Sequence, residues 1–305
     1  MINGIINVYK ERGFTSHDVV AKLRGIVKQK KIGHTGTLDP DATGVLPVCL
    51  GNATKLCDML TDKNKTYETV MLLGRVTDTQ DVSGIVLKEG DISSLDEATV
   101  TNAIHSFLGD YMQIPPMYSA LKVNGKKLYE LAREGVEVER KARPVKILDI
   151  QIKEMNLPRV RMSVTCSKGT YIRTLCHDIG EVLKCGACME ELIRTKVSRF
   201  DMKDALTLEQ VSALKQEERL GEILIPIDEM FSDYEAVTLK EEFMSLVYNG
   251  NVFFPKHLNQ YMELTDGKMV RVYDREGNFI AIYKFIKDKY LFKIEKMFFD
   301  KNEKA

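Results

Sequence analysis

The sequence has no excess of charge of either sign, because 44 lysines and arginines balance 44 aspartates and glutamates. Net charge therefore gives no support for a polyanionic partner, and any nucleic-acid surface must be a local basic patch. The chain also lacks an apolar run of the roughly eighteen residues that a membrane span requires. Its first residues lack the apolar core of a signal peptide. These absences predict a cytoplasmic protein with no membrane partner.

Cysteines are few and scattered, six in all, and a cytosolic chain of this length needs no disulfide framework. Cys185-Gly-Ala-Cys188, with Cys176 and His177 upstream, leaves a zinc or redox site open. A single CxxC without a second well-spaced pair is weak support for a metal. Cys176 also falls on the apolar stripe of a predicted helix. We therefore expect buried thiols and no metal ion.

The apolar residues follow both strand-like and helix-like periods, which together favour an α+β fold without giving its topology. A chain of 305 residues has room for one large domain and one small one. We place them at 1–233 and 234–305, because the later segment reads as strands separated by glycine-containing turns. Within the large domain, Ser94 with Glu97 predicts a capping box at the start of a helix.

One stretch, 33–47, concentrates three glycines, two prolines, two aspartates and a histidine in fifteen positions. Glycines at this density allow the backbone to approach a ligand closely. Pro40 restricts Asp39 to extended backbone, and the apolar neighbour Leu38 predicts a carboxylate held against a partly dry wall. A connecting turn with a solvated aspartate is the alternative that this pattern leaves open.

Arg173 is predicted to lie in the first turn of a helix whose apolar stripe includes Ile172, Leu175 and Ile179. The helix dipole disfavours a cation at that end by about 0.3–1 kcal/mol. A partner carboxylate would explain the position of Arg173. A surface arginine that tolerates the dipole is the alternative.

Five stretches resemble, in the same order, the motifs of bacterial TruB-type tRNA pseudouridine-55 synthases. They are the catalytic loop at 33–44, Lys65-Thr66-Tyr67, an RNA-gripping segment at 114–122, an arginine motif at 166–175 and a leucine motif at 191–195. The joint occurrence of these motifs by chance is negligible, so the resemblance is specific. The chain departs from the family where Lys10 is followed by Glu11, a position at which the family usually has proline.

The resemblance implies an α+β catalytic domain around a mixed, largely antiparallel sheet. It also implies an RNA-gripping thumb segment at 113–144 and a small, β-rich PUA-like barrel at 234–305 that binds RNA. The implied enzyme is an isomerase that converts uridine 55 in the T-loop of tRNA to pseudouridine. It breaks the bond between uracil and ribose, rotates the base and rejoins it through C5, without a cofactor. The expected partner is the T-arm of tRNA, and the expected state is a monomer.

The resemblance also gives residues their roles. Asp39 is the essential carboxylate, and whether it adds to the ring, attacks the ribose carbon or removes a ribose proton stays open. Arg173 would hold Asp39 as its ion-pair partner. Tyr67 would stack on the uracil and relay the C5 proton.

The target uridine must be flipped out of a folded loop. His34 would fill the space that the base leaves, and Leu192 would wall the pocket against water. Lys10, Lys122 and Lys126 would contact phosphates, which give affinity rather than sequence choice. The remaining residues expected to bind substrate are Gly36, Leu38, Tyr118 and Lys168.

Two other functions compete with this one. Asp39-x-Asp41-x-Thr43 fits the DxDxT core of phosphotransferases that form an aspartyl-phosphate and need Mg²⁺. Those enzymes place the first aspartate at the end of an apolar strand, whereas Gly-His-Thr-Gly-Thr precedes Asp39 here. The other competitor is a non-catalytic RNA-binding protein on the same scaffold, against which the complete set of Asp39, Tyr67 and Arg173 argues.

Overall fold

The computed structural model of the chain describes residues 1–123 and 125–299. The strands are β1 (Gly4–Lys10), β2 (Ile32–His34), β3 (Thr43–Leu50), β4 (Lys65–Leu73), β5 (Arg75–Thr77), β6 (Val86–Glu89), β7 (Gly109–Gln113), β8 (Lys122–Val123), β9 (Lys126–Lys127), β10 (Arg143–Asn156), β11 (Arg159–Cys166), β12 (Ala187–Val197), β13 (Phe200–Asp201), β14 (Glu235–Thr238), β15 (Met269–Tyr273), β16 (Phe279–Ile286) and β17 (Leu291–Met297). The α-helices are α1 (Ser16–Val27), α2 (Cys57–Thr61), α3 (Glu97–His105), α4 (Leu128–Arg133), α5 (Ile172–Val182), α6 (Leu208–Gln216) and α7 (Met244–Tyr248). In the segments described, none of these helices is long and apolar enough to cross a membrane.

Within the described residues, nine strands form one mixed sheet. Seven of them follow the order β1-β3-β12-β4-β11-β10-β7, while β2 pairs with β3 and β13 pairs with β12. Strands β3 and β12 run parallel, and every other neighbouring pair is antiparallel. The expected α+β fold with a mixed, largely antiparallel sheet is confirmed.

Helices cover this sheet because each has one apolar stripe to bury. Helix α5 is fully buried along Leu175, Cys176 and Ile179, and with α3 it packs on β4, β10, β11 and β12. Helices α1 and α6 pack on β1 and β3, with Leu23 and Val211 at the contact. The end of β1 and the start of α5 both lie at the loop between β2 and β3, through Lys10 and Arg173, and the candidate site lies there.

The C-terminal part is β-rich, as expected. Strands β14, β15, β16 and β17 pair in that order and enclose their own apolar core, which includes Phe253 and Tyr283. A second apolar cluster joins this sheet to the first, because Ile282 and Phe298 pack in the same group as Ile5 and Val45. The C-terminal sheet is therefore packed directly against the edge of the sheet that carries β1 and β3.

Two local predictions were wrong. Asp96, not Ser94, caps α3, since its carboxylate accepts a hydrogen bond from the Thr99 amide at 2.7 Å. The loop expected at 33–44 does not include its last two residues, because Thr43 and Gly44 begin β3, a strand that the pattern hid because both of its faces are buried. Strands buried on both faces read as continuous apolar runs rather than as alternation.

Candidate active site

The loop that carries Asp39 joins β2 to β3 and is held from behind by N-terminal residues. The amide of Leu38 donates to Ser16 Oγ at 2.9 Å, and the Leu38 side chain is buried. The ammonium of Lys10 donates to the carbonyl of Pro40 at 3.0 Å. The residues on both sides of Asp39 are thus fixed, while its own side chain is 42% exposed.

Asp39 forms a two-pronged ion pair with Arg173. Nε of Arg173 lies 3.1 Å from Oδ2 of Asp39, and Nη2 lies 3.4 Å from Oδ1. The partner carboxylate expected for Arg173 is therefore present, and it offsets the unfavourable position of this cation in the first turn of α5.

Arg173 has further acceptors that sequence reasoning did not identify. Its Nη1 donates to the carbonyl of Thr79 at 3.1 Å and lies 3.6 Å from Oδ2 of Asp81. Its Nη2 donates to the carbonyl of Tyr118 at 2.9 Å, so the thumb segment reaches the site through its backbone. The guanidinium is consequently fixed by four residues besides its own helix.

The ionisation of Asp39 is set by opposing influences. Burial among neighbouring atoms raises the pKa of the Asp39 carboxyl, although its side chain is 42% exposed at the cleft surface. The guanidinium of Arg173 lowers that pKa, and the second carboxylate, Asp81, raises it again. Arg173 thus favours the ionised form of Asp39 against the opposing effects of burial and Asp81.

Tyr67 lies on β4 directly beside Arg194 on β12, with the two residues paired across the strands. Tyr67 is buried, and this burial raises the pKa of its hydroxyl to about 12, while the Arg194 guanidinium lowers it. The hydroxyl is therefore neutral at physiological pH and can donate a hydrogen bond. Leu38 belongs to the same apolar cluster as Tyr67, and Leu192 packs against that cluster.

Arg194 is a buried arginine of this site that sequence reasoning did not single out. It is 1% exposed, and its Nε donates to the carbonyl of Val45 at 2.7 Å. Its backbone lies against Gly44, where an added Cβ would be 2.2 Å from the Arg194 carbonyl oxygen. Gly44 also has a φ of +107°, so glycine is required there by both backbone conformation and space.

His34 ends β2 and is half-buried. Its Nδ1 accepts a hydrogen bond from the amide of Gly36 at 3.3 Å. Burial lowers the pKa of His34, and the nearby His17 and Arg194 lower it further. The imidazole is therefore neutral at pH 7, which suits contact with uncharged bases better than contact with phosphate.

The predicted lysines fall into two groups. Lys10 is fully buried, and its ammonium donates to the carbonyls of Glu11 and Pro40. The expected phosphate contact by Lys10 is therefore wrong for this structure, because its ammonium is turned inward to the Asp39 loop. Lys122 is exposed, as are Lys126, paired with Glu134, and Lys168, paired with Asp62.

The cysteines are free thiols. Cys176, Cys185 and Cys188 are buried, as the sequence predicted. In the described ranges, no group of three or more His, Cys, Asp or Glu side chains is arranged to hold a metal ion.

Asp81 and Arg194 are the two site residues that sequence reasoning missed. Arg194 stands within the 191–195 motif, which was the available signal, whereas the turn before Asp81 offered none. Both act across long separations, since Asp81 lies 92 residues before its partner Arg173 (173 − 81) and Arg194 lies 149 residues after Val45. Such contacts follow from strand order, which local patterns do not contain.

Comparisons with known proteins match most of the chain to one family. The model of the TruB family pseudouridylate synthase N-terminal domain matches residues 24–172. The model of the tRNA pseudouridylate synthase B C-terminal domain matches residues 173–232.

Two relatives of similar length share one name, tRNA pseudouridine synthase B. The tRNA pseudouridine synthase B of Lachnoclostridium phytofermentans is 50% identical over 307 residues, which covers 97% of this chain and 100% of that protein. The tRNA pseudouridine synthase B of Clostridium tetani is 47% identical, covering 97% and 99% of the two chains.

Solved structures share the fold. A chain of a Cbf5-Nop10-Gar1 complex superposes with a TM-score of 0.72 at 27% identity, covering 98% of this chain and 86% of that one. A chain of an H/ACA RNP bound to a substrate RNA containing 2'-deoxyuridine has the same TM-score at 24% identity and the same coverage. This chain belongs to the TruB family of pseudouridylate synthases.

Proposed function

We propose that this enzyme isomerises uridine 55 in the T-loop of tRNA to pseudouridine, with Asp39 as its essential group and without a cofactor. The observation that carries the proposal is the bidentate ion pair between Asp39 and the buried Arg173. It orients a carboxylate, favours its ionised form and leaves it 42% exposed, which is what a group acting on a flipped nucleotide needs. The names of the relatives, tRNA pseudouridine synthase B, support tRNA as the substrate.

The other residues complete the proposed reaction. Tyr67, with a neutral hydroxyl, stacks on the uracil and relays the proton that leaves C5 when the new carbon–carbon bond forms. Leu192 and Leu38 line an apolar wall that keeps water from the detached base. His34, at the entrance of the Asp39 loop, fills the space that the flipped base leaves, and Gly36 contacts the substrate beside it.

The RNA surface extends beyond the pocket in this proposal. Lys122, Lys126 and Lys168 contact phosphates of the T-arm, and Tyr118 connects the thumb segment to Arg173. The unit at 234–305 adds a second surface. There Lys284 and Lys293 are both exposed and lie directly opposite each other on β16 and β17. Like charges placed opposite each other destabilise a sheet, and a polyanion relieves that cost.

In this proposal the protein acts as a monomer in the cytoplasm. Sedimentation of the free enzyme and of its complex with one tRNA checks the stoichiometry. A complex of one chain per tRNA is expected, and a dimer in both states would overturn this part of the proposal.

Tritium release tests the chemistry, because forming the bond at C5 expels the hydrogen there. Unmodified tRNA labelled at uridine C5 is incubated with the wild-type protein, with Asp39→Ala and with Asp41→Asn. Asp41 is exposed in the same loop, so it is the matched control. The expected result is one tritium per tRNA from wild type and Asp41→Asn, none from Asp39→Ala, and similar tRNA affinity for all three.

Two controls locate the reaction. Replacing uridine 55 by cytidine in the transcript removes the release, and an isolated T-arm hairpin supports it. Tight tRNA binding without release by the wild type would favour the non-catalytic RNA-binding protein instead. Neither binding nor release would end the proposal.

A further inference from the structure

Arg194 is a buried cation that has no carboxylate partner in the part of the chain that the structure describes. Arginine keeps its charge in proteins, even though burial lowers the pKa of this one. A buried charge is tolerated only when its N–H groups find acceptors. The acceptors around Arg194 therefore explain why the charge is there.

Two of these acceptors flank Asp39 in sequence, one in the β2–β3 loop and one near the start of β3. Nε of Arg194 donates to the carbonyl of Val45 at 2.7 Å, and Nη2 donates to the carbonyl of Gly36 at 3.2 Å. A rigid, planar guanidinium thus spans the loop from its entrance to its exit. The distance between those two ends is fixed by one side chain.

The third neighbour is Tyr67. Tyr67 and Arg194 are directly opposite each other on β4 and β12, so their side chains are neighbours on the same face of the sheet. The Arg194 cation also lowers the pKa of the Tyr67 hydroxyl. Two buried lysines of this region do not connect the Asp39 loop to Tyr67. Lys10 holds the carbonyl of Pro40, and Lys65 holds the carbonyls of Thr61 and Lys63.

We infer that Arg194 is a positioning residue, which fixes the loop of Asp39 and the hydroxyl of Tyr67 in one geometry. The inference rests on the proposed isomerisation, in which these two side chains act on opposite parts of the same nucleotide. Asp39 and Tyr67 belong to separate segments, the β2–β3 loop and β4, and Arg194 contacts both segments. A misplacement of about 1 Å in such a site costs roughly 100-fold in rate.

The conservative variant Arg194→Lys separates positioning from charge. A lysine keeps the cation but lacks the planar fork, so it cannot hold the carbonyls of Gly36 and Val45 together. We expect the kcat for tritium release to fall about 100-fold while the KM for tRNA changes less than about threefold. Arg161→Met is the matched control and should keep wild-type kcat, because the Arg161 side chain on β11 is 39% exposed.

Two readouts do not depend on turnover. Amide hydrogen exchange at Leu38 and Ala42, both hydrogen-bonded in the wild type, should become faster in Arg194→Lys. The pKa of Tyr67, followed by NMR of tyrosine labelled at Cζ, should rise in Arg194→Met, because the cation that lowers it is gone. A merely structural arginine would lower the folded fraction and leave the exchange in the Asp39 loop unchanged in the molecules that fold.

The outcomes are decisive in either direction. Folded Arg194→Lys with a kcat within threefold of wild type, or with unchanged exchange in the Asp39 loop, overturns the inference. If neither variant folds, the wild-type protein still tests it through the exchange of side-chain Nε protons. The Nε proton of Arg194 should exchange far more slowly than that of Arg161, and equal rates would refute the positioning role of Arg194.

Failure of the proposed function gives a different pattern. Absence of tritium release by the wild type would refute the proposed isomerisation. The hydrogen-exchange and tyrosine pKa measurements would still test whether Arg194 fixes the Asp39 loop and Tyr67. A wild type that turns over, with an equally active Arg194→Lys, would remove only the role of Arg194.

Discussion

The guanidinium side chain of Arg173 is 5% exposed, whereas the carboxylate of Asp39 that it holds is 42% exposed. The cation is fixed independently of Asp39, because Thr79, Tyr118 and Asp81 also accept or attract its nitrogens. The carboxylate depends on the cation for its orientation, and the reverse is not true. Changes at the two positions should therefore have different consequences.

Replacing Arg173 by methionine should move the acid limb of the pH–rate profile to higher pH. Arg173 lowers the pKa of Asp39, and burial and Asp81 raise it, so loss of the cation leaves the raising influences dominant. The variant should also lose about 100-fold or more in rate at pH 7, because the carboxylate is no longer oriented. The measurement is kcat/KM for tritium release from pH 5 to 9, and an acid limb at the wild-type position would contradict this.

Replacing Asp81 by asparagine should move the same limb the other way. Asp81 raises the pKa of Asp39, so its neutralisation stabilises the ionised form of Asp39 at lower pH. Asp149→Asn, an exposed position on β10, is the control and should leave the profile unchanged. A shift to higher pH in Asp81→Asn would refute the electrostatic account of this site.

Replacing Gly44 by alanine should destabilise the protein much more than the same change at Gly13. Both glycines have positive φ, +107° and +84°, which costs an alanine about 1–2 kcal/mol. Only at Gly44 would the new methyl group overlap a backbone, the carbonyl of Arg194, whereas nothing lies within 4 Å at Gly13. We expect an extra loss of about 1–3 kcal/mol in urea unfolding, and equal losses would exclude the close approach.

Lys10 should make stability rise with pH in a defined window. Burial lowers the pKa of Lys10 from 10.5 to about 8, so between these values the unfolded chain binds a proton that the folded chain does not. Stability then increases with pH by up to about 1.4 kcal/mol per unit. Below pH 8 both states are protonated, and the dependence from this residue disappears.

The difference between wild type and Lys10→Met isolates this contribution. The free energy of unfolding of the wild type minus that of Lys10→Met should grow by about 1–2 kcal/mol between pH 7.5 and 9.5. The same difference for the exposed Lys126→Met should stay constant. A constant difference for Lys10→Met would mean that its ammonium is not buried.

Replacing Lys126 by alanine should weaken tRNA binding without changing kcat. Removing a single lysine–phosphate ion pair should lower the slope of log K against log salt by about 0.7–0.9. Lys153→Ala, exposed on β10, serves as the comparison. Equal slopes for wild type and Lys126→Ala would remove Lys126 from the RNA surface.

The position of Arg173 in the first turn of a helix predicted a carboxylate partner, and the resemblance to the TruB family named Asp39 as that partner. The resemblance assigned Lys10 to a phosphate, whereas the structure buries its side chain and directs its ammonium to the carbonyls of Glu11 and Pro40. Sequence reasoning passed over Arg194 and Asp81, and the contacts of Arg194 exist only because β12 lies between β3 and β4. Residue chemistry was readable locally, whereas strand order was not.

That strand order also determines at what chain length the sheet can be completed during synthesis. Strands β3 and β4 leave the ribosome early, but the strand that joins them, β12, contains Arg194, which comes 149 residues after Val45. Until β12 emerges, β3 and β4 each present an unpaired apolar edge, which is a template for pairing with other nascent chains. The nascent chain therefore passes through a long aggregation-prone interval, and chaperone binding should be concentrated on chains shorter than about 200 residues.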